Sequence, residues 1–343
     1  MRSGAAAVAL RKAPAGSVQV AVREAMEAAG WRRHITAGAA VALKVNLGWD
    51  VFMPGAVSAP WVVEGVIATV RDHVSELYLV ESDQVVADAD KALRQTGLAD
   101  VCRRYGVTWV NMSRGRFVHI EDPSRLVLRT VDLPEILSRT ELITVPVMKT
   151  HDKTVITGAI KNQWGCLREL RHNFHLVLPE ALVDVNTLVR PRFAVMDATI
   201  GLEGNGPKSG IPKEMGLVLA SGDPVALDAV AARVMGFEPR DIAHLRLAAE
   251  HGLGVLDPEL IEVIGESVET VAEAFRPSRH NAVSVVELLL RRSAIRKAVF
   301  DTPLFHLCCW GARRYYDIWD LVVGRRLRSG VLSRSPYAAQ WVR

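Results

Sequence analysis

The chain has 343 residues, of which 49% are hydrophobic, 23% charged and 6% aromatic, enough apolar material for one large core or two modest ones. That composition excludes disorder, collagen and coiled coil as whole-chain descriptions, and the longest apolar runs, such as Leu142 to Met148 and Met215 to Ala220, fall far short of the roughly 18 to 20 residues of a membrane span. The formal charge of +4 hides a division: Arg291 to Arg343 holds ten Arg, one Lys and three Asp, a net +8, which leaves −4 on the first 290 residues.

In chain order, the Ala-rich start to Gly16 lacks the apolar centre of a secretory signal, so a cytoplasmic location is expected. A helix is predicted over 17–29, a strand over Ala40 to Val45, a helix from Pro60 to His73, a strand from Glu76 to Val80, helix from Ala87 to Tyr105 and a strand from Val107 to Asn111. Phe117 to Val131 alternates like a small hairpin turning at Asp122 and Pro123, and Leu142 to Val147 is an apolar strand. Helices follow over Val155 to Arg168 and Pro179 to Leu188, then strands at Phe193 to Met196 and Gly216 to Ala220 around a glycine loop. Asp223 and Pro224 make a helix start for a helix to about Met235, Glu238 to His251 continues in helix, and Leu260 to Ile264 is the last strand. This alternation predicts an α/β fold, a largely parallel sheet with helices on both faces, plus a helical C-terminal extension. The expected boundaries are 15–270 for the α/β domain and 271–343 for the basic, aromatic extension.

The four cysteines, Cys102, Cys166, Cys308 and Cys309, contain no C-x-x-C, which fits a reducing compartment and supplies no iron–sulfur ligand set. Lysine is a sharper marker, because the chain has 33 Arg but nine Lys, and six of the nine lie beside distinctive loops. K-V-N-L-G at 44–48 puts Lys44 and Asn46 on one side of a strand end, where open parallel sheets bind ligands. V-P-V-M-K-T-H-D-K-T at 145–154 runs an apolar strand into Lys149, Thr150, His151, Asp152 and Lys153. His151 is a candidate general base or metal ligand there, and Lys149 a candidate for stabilising an oxyanion or phosphate. G-A-I-K-N-Q-W-G at 158–165 adds Lys161 and Asn162, and His172 and His175 follow at helical spacing. With His151 they form a candidate three-nitrogen site for a divalent metal, although no H-E-x-x-H is present. The loop from Asp197 to Gly210, with four glycines in ten residues, supplies Glu203 as a candidate acid/base carboxylate and Lys208 and Ser209 as anion ligands, but matches no P-loop.

Taken in order, these four segments and S-G-D-P-V-A-L-D at 221–228 resemble the bacterial and archaeal domain of unknown function 362 family, over roughly residues 17 to 266. Some members carry an added ferredoxin-like cysteine segment. This chain has none, so a redox role of iron–sulfur type is disfavoured and no iron–sulfur cluster is expected. A more distant similarity, at the level of fold, links the Lys and His loops to the nickel-dependent lactate racemase family, whose chemistry moves a proton or hydride at a carbon beside a carboxylate.

The leading expectation is an enzyme using acid/base chemistry on a small carboxylate- or phosphate-bearing substrate, of isomerase, racemase or lyase type and metal-assisted in one version. Its catalytic set is His151, Lys149, Lys161 and Glu203, and its anion-binding set Lys44, Asn46, Thr150, Asn162, Lys208 and Ser209. The rival is a non-catalytic binding or assembly protein on the inner membrane face. That reading rests on residues 303–343, where Trp310, Tyr315, Tyr316 and Trp319 mix with Arg313, Arg314, Arg325, Arg326 and Arg328, as suits an anionic lipid surface. A tail folded back on the acidic body or onto a second subunit of a homo-oligomer explains the same residues. No specific nucleic acid is expected, since no nucleic-acid fold pattern accompanies the charge.

Overall fold

The computed structural model describes residues 5–341. Its strands are β1 (Ala6–Lys12), β2 (Ala40–Lys44), β3 (Glu76–Glu81), β4 (Thr108–Asn111), β5 (Phe117–Glu121), β6 (Thr130–Pro134), β7 (Glu141–Thr144), β8 (Val147–His151), β9 (Val155–Thr157), β10 (Phe193–Glu203), β11 (Ile211–Ser221) and β12 (Ile261–Gly265). The main sheet runs β12-β1-β11-β10-β7-β2-β3-β4, with β8 and β9 branching from β10, while β5 and β6 form a separate hairpin. Neighbours from β10 through β7, β2 and β3 to β4 are parallel, and β11 is antiparallel to both β1 and β10. The fold is thus α/β with a largely parallel sheet and a helical C-terminal region.

Two apolar cores lie on opposite sheet faces because side chains alternate along each strand. Val41, Leu43 and Val45 join helices Val18–Ala28 and Pro60–Val70 in one core, while Ala42 joins helices Leu178–Val189 and Pro224–Val234 in the other. Helix Pro224–Val234 starts as its sequence implies: the Asp223 carboxylate accepts from the amides of Val225 and Ala226, each at 2.9 Å.

Several elements differ from expectation. The Ala-rich N-terminus contributes β1, seated between β12 and β11; alanines give a strand little β-branched signal, and neighbours supply what propensity does not. The apolar run ending near Val147 divides at Pro146 into β7 and β8. β7 pairs with β2, whereas β8 continues along β10. Val155 to Arg168 is not one helix: β9 is followed by a single turn of helix, Ala159–Asn162, and a 3-10 turn, Gln163–Cys166. The glycine loop is the tip of the long β10–β11 ribbon, whose strands extend well past the predicted four or five residues.

The basic C-terminal segment folds back on the body as helices Ala282–Arg292, Arg296–Phe300, Leu304–Trp319 and Arg325–Arg334. Arg313 reaches Asp50 at 2.7 Å, Trp49 packs against Tyr316 and Trp319, and Tyr337 stacks on Trp61 while donating to Ala13 O at 2.5 Å. Much of the tail's aromatic content is therefore packing material. No helix among the described residues is long and apolar enough to cross a membrane.

Candidate functional site

At the carboxyl ends of β2, β3 and β8 the chain encloses a cavity of about 550 Å3, which Lys44, Asn46, Lys149, His151, Lys161, Asn162, His172, His175 and Lys208 all line. The step that opens it follows from Pro146. Lys44 and Thr144 are the last residues paired between β2 and β7, and beyond them β8 stays with β10. A crevice at such a point is where open α/β sheets accept ligands.

The floor is wired together by amide side chains. Lys149 Nζ donates to Asn46 Oδ1 at 2.9 Å and to Ala56 O at 2.7 Å. Asn46 Nδ2 donates to Asn162 Oδ1 at 3.0 Å, and Asn162 Nδ2 donates to Thr144 Oγ1 at 2.9 Å and Lys44 O at 3.1 Å. Both carboxamides are engaged by the protein, so they position lysines rather than standing free for a substrate. Lys44 is fully buried and ion-paired with Glu81 at 2.8 Å. Gly165 is required beside that pair, because a Cβ there would come within 2.5 Å of Glu81 Oε1 and 2.8 Å of Lys44 Nζ. From behind, Asp228 accepts from the amides of Ala159 (2.6 Å) and Ile160 (3.0 Å), fixing the turn that carries Lys161 and Asn162. Burial raises that carboxyl to about 7.

Charge dominates the lining. Lys44, Lys149, Lys153, Lys161, Lys208, Arg171 and Arg291 face three carboxylates, Glu81, Asp152 and Glu287. The carboxylates are already engaged: Glu81 by Lys44, Asp152 by Lys153 (3.4 Å) and Ser284, and Glu287 by His175 (2.6 Å), Arg291 (2.9 Å) and Lys153 (3.1 Å). Lys149, Lys161 and Lys208 have no carboxylate partner among the described residues. Lys161 Nζ lies 5.6 Å from the Trp164 ring centroid and Lys208 Nζ 5.3 Å from that of Tyr316, with no hydrogen-bond acceptor for either among the described residues. Burial pulls all three ammoniums down to about 7, reinforced by neighbouring cations at Lys149 and Lys161 and partly opposed by the Asp50 carboxylate at Lys208.

The histidines behave differently. Burial drives His151 down to about 3, outweighing the adjacent Asp152 carboxylate, so its ring is neutral near pH 7. Its Nδ1 accepts from the Lys153 amide at 3.0 Å and lies 3.1 Å from Asp152 Oδ1. One nitrogen cannot accept from the amide and donate to the carboxylate together, so the amide contact places the ring proton on Nε2. His172 and His175 are likewise held low by burial and touch edge to face with centroids 4.8 Å apart. No group of three or more His, Cys, Asp or Glu side chains among the described residues has the arrangement of a metal site. Among the described residues His151, His172 and His175 are thus not gathered as ligands for a divalent metal.

Three other sequence candidates bond to loop backbone and do not line the cavity. Thr150 Oγ1 donates to Gly204 O at 2.9 Å, Ser209 Oγ donates to Asn205 O at 3.2 Å, and Glu203 accepts from the Arg276 amide at 3.1 Å while pairing with its side chain. Asp197 also turns away, accepting from Ala59 N at 2.8 Å and Thr199 Oγ1 at 2.7 Å. Residues that sequence reasoning missed complete the lining: Glu81, Arg171, and Ser284, Glu287, Arg291 and Tyr316 from the tail. Glu287 and Arg291 form an i,i+4 pair, which in sequence is the mark of an exposed helix face.

Comparison with known proteins adds the following. The lactate racemase apoprotein from Thermoanaerobacterium thermosaccharolyticum overlaps 56% of this chain and 50% of its own length, at 9% identity and a TM-score of 0.34. A Thermotoga maritima protein overlaps 70% of this chain and 60% of its own, at 8% identity and a TM-score of 0.39. Neither value speaks to chemistry. A thylakoid-associated protein of Synechocystis sp. is 26% identical over 260 residues, spanning 73% of this chain and 78% of the relative. Residues 41–233, more than half of the chain and the stretch that holds Lys44, Lys149, Lys161 and Lys208, match the family described as a domain of unknown function (DUF362), and the chain belongs to that family.

Proposed function

We propose that the chain is an enzyme that binds a small carboxylate- or phosphate-bearing molecule in this cavity and moves a proton on it, in a reaction of isomerase, racemase or lyase type. One observation carries the reading: three ammoniums, the buried Lys149 and Lys208 and the half-buried Lys161, line one cavity with no carboxylate in ion-pair contact among the described residues. Buried charge without a partner is costly and is tolerated where a ligand supplies the counter-charge. Lys208 and Lys149 hold the anion. Lys161 moves the proton, because its nitrogen has no hydrogen-bond acceptor among the described residues and its proton affinity lies near neutrality, where general acid/base catalysis is most effective. His151, expected from sequence to be the base, holds a proton too weakly for that task; as a neutral ring it donates a hydrogen bond that polarises the substrate. The test incubates the protein in D2O with a panel of two- to six-carbon carboxylates and follows deuterium entry beside the carboxylate by NMR. Exchange that falls at least about 100-fold in Lys161→Met is expected. Exchange by the wild type that persists undiminished in that variant would contradict the assignment, and binding without exchange across the panel would reduce the reading to a binding protein.

A second reading, peripheral association with an anionic membrane through the tail, is favoured by one specific observation. Most exposed large apolar side chains among the described residues lie between Val285 and Leu332, including Leu307 (61%), Trp310 (62%) and Val322 (69%). A thylakoid-associated relative is consistent with it. Co-sedimentation with vesicles containing 30% anionic lipid, compared with a Trp310→Ser and Leu307→Ser variant, tests it; equal recovery of both in the supernatant would end it.

A further inference from the structure

The cavity has two unlike walls. The loops at the sheet ends supply the lysines, and the tail helices supply Val286, Leu290, Phe300, Phe305, Ala312 and the ring of Tyr315 on the opposite side. A site for an inorganic anion or a short acid has no use for that second wall, because such a ligand would occupy the cationic end and leave the apolar end against water. The volume of about 550 Å3 lies within the roughly 300–1,000 Å3 of sites that enclose organic molecules. The two walls are tied together by Glu287, which joins His175 and Lys153 of the body to Arg291 of its own helix. Beside that junction, the buried Nη2 of Arg291 and Nε1 of Trp164 have no hydrogen-bond partner among the described residues. The Arg291 guanidinium lies 4.0 Å from the Phe300 ring centroid, so cationic and apolar lining meet at this point, as the two ends of an amphiphile require.

We propose that the ligand is an amphiphilic anion, a phosphate or carboxylate head on an aliphatic chain, with the head among Lys149, Lys161 and Lys208 and the chain against Leu290, Phe300 and Phe305. This names the substrate class for the anion site proposed above and rests on that reading. The C-terminal helices then form part of the binding site, giving the molecule a reason to fold its tail over the sheet ends.

The test is calorimetric titration of the full chain with two pairs of probes, methyl and octyl phosphate, and acetate and octanoate. Each buried methylene is worth about fourfold in affinity. The octyl member of at least one pair is expected to bind at least about 30-fold more tightly than its short partner, and the pair showing the gain identifies the head group. Phe305→Gln with Leu290→Gln should cut that ratio at least about fivefold, with thermal melting confirming that the variant is folded. Equal affinity for short and long members of both pairs would overturn the amphiphile while leaving the anion site standing. Failure of all four to bind would overturn both. Octanol binding as tightly as octyl phosphate would also overturn the proposal, because the head group would then contribute nothing.

Discussion

The sheet-end loops of the body and the C-terminal helices face one another across a single cavity and handle charge and apolar surface in opposite ways. The body buries cations, with Lys44 and Lys149 1% and 2% exposed, and surrounds them with hydrogen-bonded amides. The tail exposes aliphatics, with Leu289 65% and Val322 69% accessible, and keeps most of its arginines outside. Neither arrangement maximises stability. In the body the cost is concentrated in a few ammoniums at the cavity that lack an ion-pair partner; in the tail it is spread over a surface left uncovered by the described residues. The seam between the regions is built conventionally, from Trp61 stacked on Tyr337 and from Asp50 paired with Arg313.

The largest effects should appear where that comparison is broken at tryptophan. Trp61→Ala removes a side chain 2% exposed that donates to Thr199 Oγ1 and carries Tyr337, and it should cost about 3–5 kcal/mol in urea unfolding. Trp310→Ala, at 62% exposure, should change stability by less than about 0.5 kcal/mol. Comparable losses at the two positions would mean that the outer tail surface is packed in solution.

Asp228→Ala should cost about 2–4 kcal/mol, since it leaves the amides of Ala159 and Ile160 buried without an acceptor. Asp228→Asn should recover only part of that loss near pH 7, because its one carbonyl oxygen can accept from Ala159 or Ile160 while its NH2 faces the other amide. Chemical unfolding of both variants checks this, and an Asn variant as stable as the wild type would show that one acceptor is enough to hold the turn.

Smaller and opposite in sign is Lys208→Met, which removes a buried ammonium with no anionic partner and should stabilise the ligand-free protein by about 1–2 kcal/mol at pH 6. With a folded-state value near 7 against an unfolded 10.5, the unfolded chain binds more protons between those limits. Lysine burial therefore makes wild-type stability rise with pH across that window, and the advantage of the Met variant shrinks. Thermal melts at pH 6 and pH 9 read both trends; an advantage that grows with pH would contradict the unbalanced charge.

Much of this was legible in the sequence where a residue's job is done by its own strand or helix. Asp223 before Pro224 announces a cap, alternation over residues 117 to 131 announces a hairpin, and lysines at the ends of apolar strands converge because parallel strands end at one edge of a sheet. What was hidden depends on distant partners. Glu81 looks like any strand-end carboxylate until Lys44 lies beside it, and Glu287 until the tail folds over His175. Thr150, Glu203 and Ser209 looked like site residues because they neighbour Lys149 and Lys208, but their oxygens serve loop backbone that only the folded β10–β11 ribbon brings near. His151 looked like a base because imidazole normally titrates near neutrality; burial removes that property here and confers it on lysine.

The cationic cavity is tested most directly by calorimetric titration with inorganic phosphate at pH 6, 7.5 and 9, in two buffers of different ionisation enthalpy. An anion among Lys149, Lys161 and Lys208 favours their charged forms, so binding at pH 7.5 should take up protons, and affinity should fall at least about tenfold between pH 7.5 and pH 9. Lys161→Met with Lys208→Met should abolish both the binding and the proton uptake. Phosphate binding that involves no proton uptake and survives the double substitution, or no binding by the wild type at pH 6, would contradict the anion site.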